Sequence, residues 1–327
     1  MKEEIRKVLL DSGAAAVGFA RAGKIPDSVH REFADWVGEG CNGEMAYLQR
    51  HIPLRENTDN VLPGARTVIS LAFKYQPKEW RNQHLPYLAS YAYGEDYHIR
   101  LREILFPLIS SFKQKYGGKW RLCIDSAPIA ERFWAVRSGI GVRGLNGAVI
   151  VPGCGSFTFL AEILTTLEIV PDKPSEGFCN RCGRCIDVCP AGALKGDGKL
   201  DARRCINYLT IEKNSDFTDE EKSLLSKGSG YLYGCDRCLR VCPLNIPEEY
   251  LSQKHASEDQ QDMPPESSLQ SLFPSVPEVL RLDVTTLLEM DEKKFQELFS
   301  QSPLNYAGYR KLLRNTFNLN DSSSIKE

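Results

Sequence analysis

Eight of the chain's eleven cysteines lie between Cys179 and Cys242. Cys179, Cys182, Cys185 and Cys189 follow the spacing C-x2-C-x2-C-x3-C and are closed by Pro190. This is the ligand run of bacterial ferredoxins. Three thiolates close in sequence wrap three corners of one iron–sulfur cubane. The fourth, carried past a turn, reaches a second cubane. Cys235-x2-Cys238-x3-Cys242-Pro243 repeats the pattern but lacks one upstream ligand. Cys205 is the natural candidate, set back by an inserted segment. Crossed ligation then assigns Cys179, Cys182, Cys185 and Cys242 to cluster one, and Cys189, Cys205, Cys235 and Cys238 to cluster two. C-x2-C pairs also suit structural zinc. Two C-x3-C-P endings and eight thiols favour two [4Fe–4S] clusters instead. Cys41, Cys123 and Cys154 are scattered, as small buried hydrophobes usually are.

A pair of clusters passes single electrons, and a ferredoxin needs far fewer than 327 residues to do so. The segment before the cysteines therefore has to carry the electron acceptor. With 42% apolar and 26% charged residues the chain has the composition of a globular protein. Its formal charge of −2 excludes a polycation, so nucleic-acid contact would need a local basic patch. No apolar run is long enough for a membrane span. Asp11 interrupts the N-terminal apolar stretch, which does not read as a secretory signal. These features predict a cytoplasmic protein, consistent with cysteines used for metal rather than disulfides.

The elements that must position the cysteines follow from pattern. Residues 2–12 and 28–37 predict helices, and AAAVGFA and RTVISLAFKY predict strands. DYHIRLREILFPLISSFKQKYG places Ile99, Leu101, Ile104, Leu105, Leu108, Ile109 and Phe112 at helical spacing, stopped by Gly117-Gly118. KWRLCID predicts a strand, PIAERFWAVRSG a helix with Pro128 in its first turn, and AVIV another strand. Strands alternating with helices predict an α/β domain over 1–170, its sheet parallel or mixed. PDKPSEG reads as a linker into a ferredoxin-like domain over 171–250. LDARRCINYLTIE predicts a helix capped by Asp201. Residues 254–268 predict an exposed polar loop within a C-terminal tail, 251–327, that ends in two short helices.

WVGEGCNGEMAYLQRH, LPGARTVISLAFKY, SYAYGEDYH and DSAPIAERFWAVRSGIGVRGLN in the first part, with GFCNRCGRCIDVCPAGAL, LDARRCINYLTIE and YGCDRCLRVCPLN in the second, resemble the epoxyqueuosine reductase family. The likeness runs from about residue 8 to residue 317. It implies an α/β cobalamin-binding domain fused to a ferredoxin-like domain with two [4Fe–4S] clusters, and a base-off corrin between them. The implied reaction removes the epoxide oxygen of epoxyqueuosine at the wobble position of tRNA, leaving queuosine and water. Implied partners are tRNA and a low-potential donor such as ferredoxin or flavodoxin, with the chain a monomer.

Residue by residue, the resemblance makes Asp125 the proton donor and a corrin contact, kept protonated by burial against the corrin. By residue type alone, Asp125 reads as a strand-end aspartate capping the next helix. Arg55, Val149, Leu160, Asn207 and Asp236 match corrin contacts; otherwise they are a surface arginine, core strand residues and neighbours of cluster ligands. His98 and Arg132 would line the substrate pocket and Lys213 would touch tRNA, against a structural histidine and surface cations. The chain departs from the family at Leu145, where a lysine usually precedes the retained Asn146; Arg143 lies two residues away. It also stops short of a C-terminal helical-repeat domain found in some relatives, so tRNA contact would fall to the body and to Arg310, Lys311 and Arg314. The rivals are a reductive dehalogenase-like enzyme acting on a small organic substrate, and a non-catalytic iron–sulfur electron carrier.

Overall fold

A computed structural model describes residues 1–75, 77, 80–177, 179–227, 230–245 and 272–323. The chain divides into two compact units that interleave in sequence. One comprises 1–41, 46–75 and 98–182; the other comprises 42–45, 76–97 and 183–327. The polar stretch 254–268 lies outside the described residues.

The first unit is built on one four-stranded sheet. Its strands are β1 (Ala16–Arg21), β2 (Thr67–Lys74), β4 (Trp120–Cys123) and β7 (Thr158–Thr165), in the order β1-β2-β7-β4. Every neighbouring pair is antiparallel. This corrects the expected parallel or mixed sheet. Alternating helices and strands fix only that the connections are long; here β1 to β2 and β4 to β7 reverse direction, and β2 and β4, which run the same way, are separated by β7. The short strands β5 (Val142–Arg143) and β6 (Val149–Ile150) form a separate hairpin.

Side chains alternate across a sheet, so its two faces read separately. Phe19 lies on the face met by α1 (Lys2–Asp11), where Lys2 and Arg6 sit over its ring. Arg6 and Lys2 also pair with Asp172. On the opposite face, Gly18, Ser70, Glu162 and Cys123 stand in one cross-strand row. Helix α5 (Glu131–Arg137) packs on this face. Gly18 permits the approach: a Cβ there would fall 2.1 Å from the Ser138 carbonyl oxygen. Helix α5 begins at Glu131, not near Pro128 as the sequence predicts. The Ile129 N–H is already donated to the Ala127 carbonyl in a tight turn, so the helix starts only after it. The unit also holds α2 (Asp27–Gly38), α3 (Tyr47–Arg55) and all but the first residue of α4 (Tyr97–Tyr116), which ends just before Gly117-Gly118.

In the second unit, β3 (Tyr87–Leu88) and β8 (Tyr231–Tyr233) pair in parallel. The cysteine segment carries α6 (Arg184–Asp187), α7 (Ile206–Ile211), α8 (Asp219–Leu225) and α9 (Arg237–Arg240). Its described C-terminal residues form helices α10 (Pro277–Arg281), α11 (Val284–Glu289), α12 (Glu292–Phe299), α13 (Leu304–Ala307) and α14 (Tyr309–Ser323). Asp283 and Asp291 cap α11 and α12 by accepting backbone N–H bonds at 2.7 Å, and Thr218 and Glu221 form a capping box on α8. These C-terminal helices share one core with the strands. Leu88, Leu232 and Tyr233 pack with Phe295, Phe299, Leu304 and Leu312. Asn315 ties α14 to the carbonyls of Thr210 and Leu232. Among the described residues no helix is long and apolar enough to cross a membrane.

Candidate active site

The two cysteine runs form a structural repeat. C-G-R-C and C-D-R-C each lead into a single helical turn, α6 carrying Cys185 and α9 carrying Cys238, and these two turns pack on each other. Gly183 starts the first in the left-handed region, at φ +82°. Cys189-Pro190 and Cys242-Pro243 follow each turn. Within the second unit, Cys189, Cys205, Cys235 and Cys238 feel one another's charge. Burial, then these neighbours, push the Cys238 thiol well up, and burial raises Cys235 to about 12. Such thiols ionise only when a metal takes up the charge. Backbone N–H groups already point at them. Ala193 donates to Cys189 Sγ at 3.3 Å, Asn207 and Tyr208 donate to Cys205, and Arg237 donates to Cys235. Donors to ligand sulfurs are one of the levers that set cluster potentials.

Beside Cys235, Asp236 is 3% exposed. Its carboxylate accepts from the Ser90 N–H at 2.7 Å, from Arg240 Nε at 2.9 Å, and from the hydroxyls of Ser90 and Tyr87. Burial opposes ionisation, but Arg240, Ser90 and Tyr87 outweigh it and hold the group below its ordinary value of 3.8. Arg240 stacks on Trp80 at 4.1 Å. The Asp236 side chain is therefore an internal anchor. Asp236→Ala strands the buried Arg240 charge and should cost about 3–5 kcal/mol, seen as a lower denaturant midpoint. Because the folded value is depressed, that stabilisation is present above about pH 4 and lost as pH falls further; the wild-type and variant midpoints should converge in acid.

In the first unit, β4 ends at Cys123 and the chain turns sharply through Asp125, whose φ is +45°. The Asp125 side chain is 63% exposed, and its Oδ2 lies 3.5 Å from Nε2 of His98, in the first turn of α4. The Asp125 N–H is donated to Glu131 Oε1 at 2.6 Å. Arg55 and Arg132 add positive charge around this turn. Arg55 stacks over Phe33 at 4.2 Å, and Arg132 is exposed. Val149 is buried with Ala72, Ala135 and Ile140, and Leu160 is partly buried against them. Asp125, His98, Arg55 and Arg132 thus gather at one end of the sheet. Leu145 is buried, Asn146 Oδ1 accepts the Ala148 N–H, and Arg143 pairs with Glu32 at 2.9 Å.

Of the basic residues matched to tRNA contact, Lys213, Lys311 and Arg314 spend donors internally. Lys213 pairs with Glu221 at 3.4 Å and Glu44 at 3.7 Å. Lys311 donates to the Ile211 and Glu212 carbonyls, and Arg314 to those of Leu209, Lys213 and Ser215. Both satisfy carbonyls at the end of α7. Arg310 remains exposed.

Sequence reasoning missed Glu131 and Glu162. Burial, then the charge of Asp125, raise Glu131 to about 8; burial, then Glu131, raise Glu162 well above an ordinary carboxyl. A signal for Glu162 was present: an acid at an inward position of the apolar strand FLAEIL.

Family comparison matches 178–245 to a 4Fe-4S double cluster binding domain, and 55–126 to the family described as Epoxyqueuosine reductase QueG, DUF1730. An epoxyqueuosine reductase of Cyclobacterium marinum is 35% identical over 245 residues, covering 74% of this chain and 78% of that one. Solved structures agree. An epoxyqueuosine reductase bound to an epoxyqueuosine-modified tRNA-Tyr stem loop superposes with TM-score 0.81 at 28% identity, over 97% of this chain and 80% of that one. A Bacillus subtilis epoxyqueuosine reductase with its catalytic aspartate loop swung out of the active site superposes with TM-score 0.81 at 27% identity, over the same shares. On this evidence, the chain belongs to the epoxyqueuosine reductase family.

Proposed function

We propose that this chain reduces epoxyqueuosine in tRNA to queuosine and water, with electrons passing through two [4Fe–4S] clusters to a bound cobalamin. The observation that carries the site reading is Asp125: an accessible carboxyl on a strained turn, beside His98 and among arginines. That a relative's catalytic aspartate loop can swing out of its active site supports placing the acid on such a turn.

The donor sets fit both cofactors. Four mutually interacting thiols served by N–H donors suit a cubane. Cluster two would take Cys189, Cys205, Cys235 and Cys238; cluster one would take Cys179, Cys182, Cys185 and Cys242. The residues that would hold the corrin are the apolar Val149 and Leu160, the Arg55 guanidinium, Asp125, Asn207 and Asp236. Bound cobalamin supplies two-electron reducing power at cobalt.

The reaction consumes two electrons and two protons. Asp125 delivers a proton to the epoxide oxygen as the ring opens, which needs that oxygen within hydrogen-bond reach. His98 orients the Asp125 carboxyl, and Arg132 and Arg55 favour the developing negative charge on oxygen. Base recognition comes from extrusion of the modified nucleotide out of the anticodon loop into this site. Turnover should require added cobalamin: protein carrying iron but no corrin should leave an epoxyqueuosine stem loop unchanged, and adding cobalamin should restore reduction. Equal rates with and without cobalamin would remove it from the account.

A further inference from the structure

The turn that presents Asp125 is held from behind by a second carboxyl, that of Glu131. Non-glycine residues keep a φ of +45° only where their surroundings impose it. Strand β4 brings the chain in at Cys123, and α5 takes it away at Glu131. The Asp125 N–H bond to Glu131 Oε1 closes this turn at its strained residue. His98 meets the Asp125 side chain; Glu131 holds its backbone.

Helix α5 packs on β7, where Glu162 is fully buried between Ser70 and Cys123. Among the described residues neither Glu162 oxygen has a hydrogen-bond partner, and neither has Ser70 Oγ. A carboxyl so placed stays neutral. Glu131 is therefore the member of the pair that takes up charge. The groups acting on it are Asp125 in the turn, Arg132 on its own helix and Arg55 on α3. Arg121 and Cys123 on β4, Glu162 on β7, and His98 beside Asp125 are further charged or titratable neighbours of this turn.

We propose that Glu131 is a positioning residue, a latch that fastens the Asp125 turn to the start of α5 and tightens when it becomes an anion. At neutral pH the latch is a bond to a neutral acid. As pH passes about 8, to which chiefly burial raises Glu131, it becomes charge-assisted and stronger. The catalytic consequence rests on Asp125 being the proton donor; the latch itself does not.

Amide hydrogen exchange over residues 124–131, in anaerobic protein carrying its clusters, reads the latch without substrate. In wild type, protection corrected for intrinsic rates should rise between pH 7 and pH 9. Glu131→Gln keeps the acceptor oxygen and should match wild type at pH 7 while losing the rise. Glu131→Asp is one methylene short and should exchange roughly tenfold faster at both values, with kcat lowered and KM unchanged. Glu162→Gln, neutral like the acid it replaces, should leave the rise in place. Wild-type exchange in Glu131→Asp, or a persisting rise in Glu131→Gln, would overturn the proposal. A latched protein that cannot reduce an epoxyqueuosine stem loop would instead count against the substrate reading alone.

Discussion

Asp125→Asn should slow reduction of epoxyqueuosine by roughly 10²–10⁴-fold while leaving iron content and cobalamin binding at wild-type levels. Asparagine tolerates positive φ about as well as aspartate, so the turn at +45° survives the change. Its N–H still reaches Glu131, and its side-chain oxygen still faces His98 at the present 3.5 Å separation. What disappears is the acidic proton. The exposure of Asp125 means that little packing is lost, so a stability defect cannot account for the rate. Rapid-quench single turnover under anaerobic conditions measures the chemical step directly. A variant within a few-fold of wild type would transfer the acid's role to another group.

Cys205→Ala should lose about half the iron of the reconstituted protein and nearly all cobalamin-dependent turnover, because a cubane with three thiolates is labile. Cys205 is the proposed fourth ligand, set back from the second C-x2-C pair, so it tests the assignment more sharply than cysteines inside a motif. Its sulfur accepts N–H bonds at the start of α7 and interacts with Cys189, Cys235 and Cys238. Chemical iron analysis with electron paramagnetic resonance of the reduced protein checks this. Full iron retention would mean that another group closes the second cluster.

How much of this was legible in the sequence depends on the range of each signal. Cluster ligands are read from local spacing, since a cubane imposes its geometry on a few neighbouring residues, and the fold keeps the implied repeat in α6 and α9. Strands β1, β2 and β4 of the main sheet were also legible, because apolar and β-branched content is local; β7 was not singled out as a strand. Strand direction was not: it depends on how each connection returns, and here every pair in the main sheet is antiparallel. The start of α5 was misplaced because proline at a first turn is only a preference, and the Ile129 turn overrides it. Lys311 and Arg314 looked like a basic patch, yet they bond the end of α7 a hundred residues away in sequence. No sequence window contains both partners. Asp125 was ambiguous by residue type, and only the family resemblance lifted it above a helix cap. Glu131 looked like an ordinary first-turn acid until the turn folded back onto it.

Nucleoside mass spectrometry after anaerobic reaction tests the central claim most directly. Protein shown to carry both clusters and one cobalamin is mixed with a low-potential reductant and an epoxyqueuosine-containing tRNA, and the digested nucleosides are weighed. The account predicts a product lighter than epoxyqueuosine by one oxygen, formed repeatedly by each protein molecule. Epoxyqueuosine recovered intact from fully loaded, reducible protein would contradict it, and the buried Leu145 in place of the family lysine would then be the first position to examine for a different substrate.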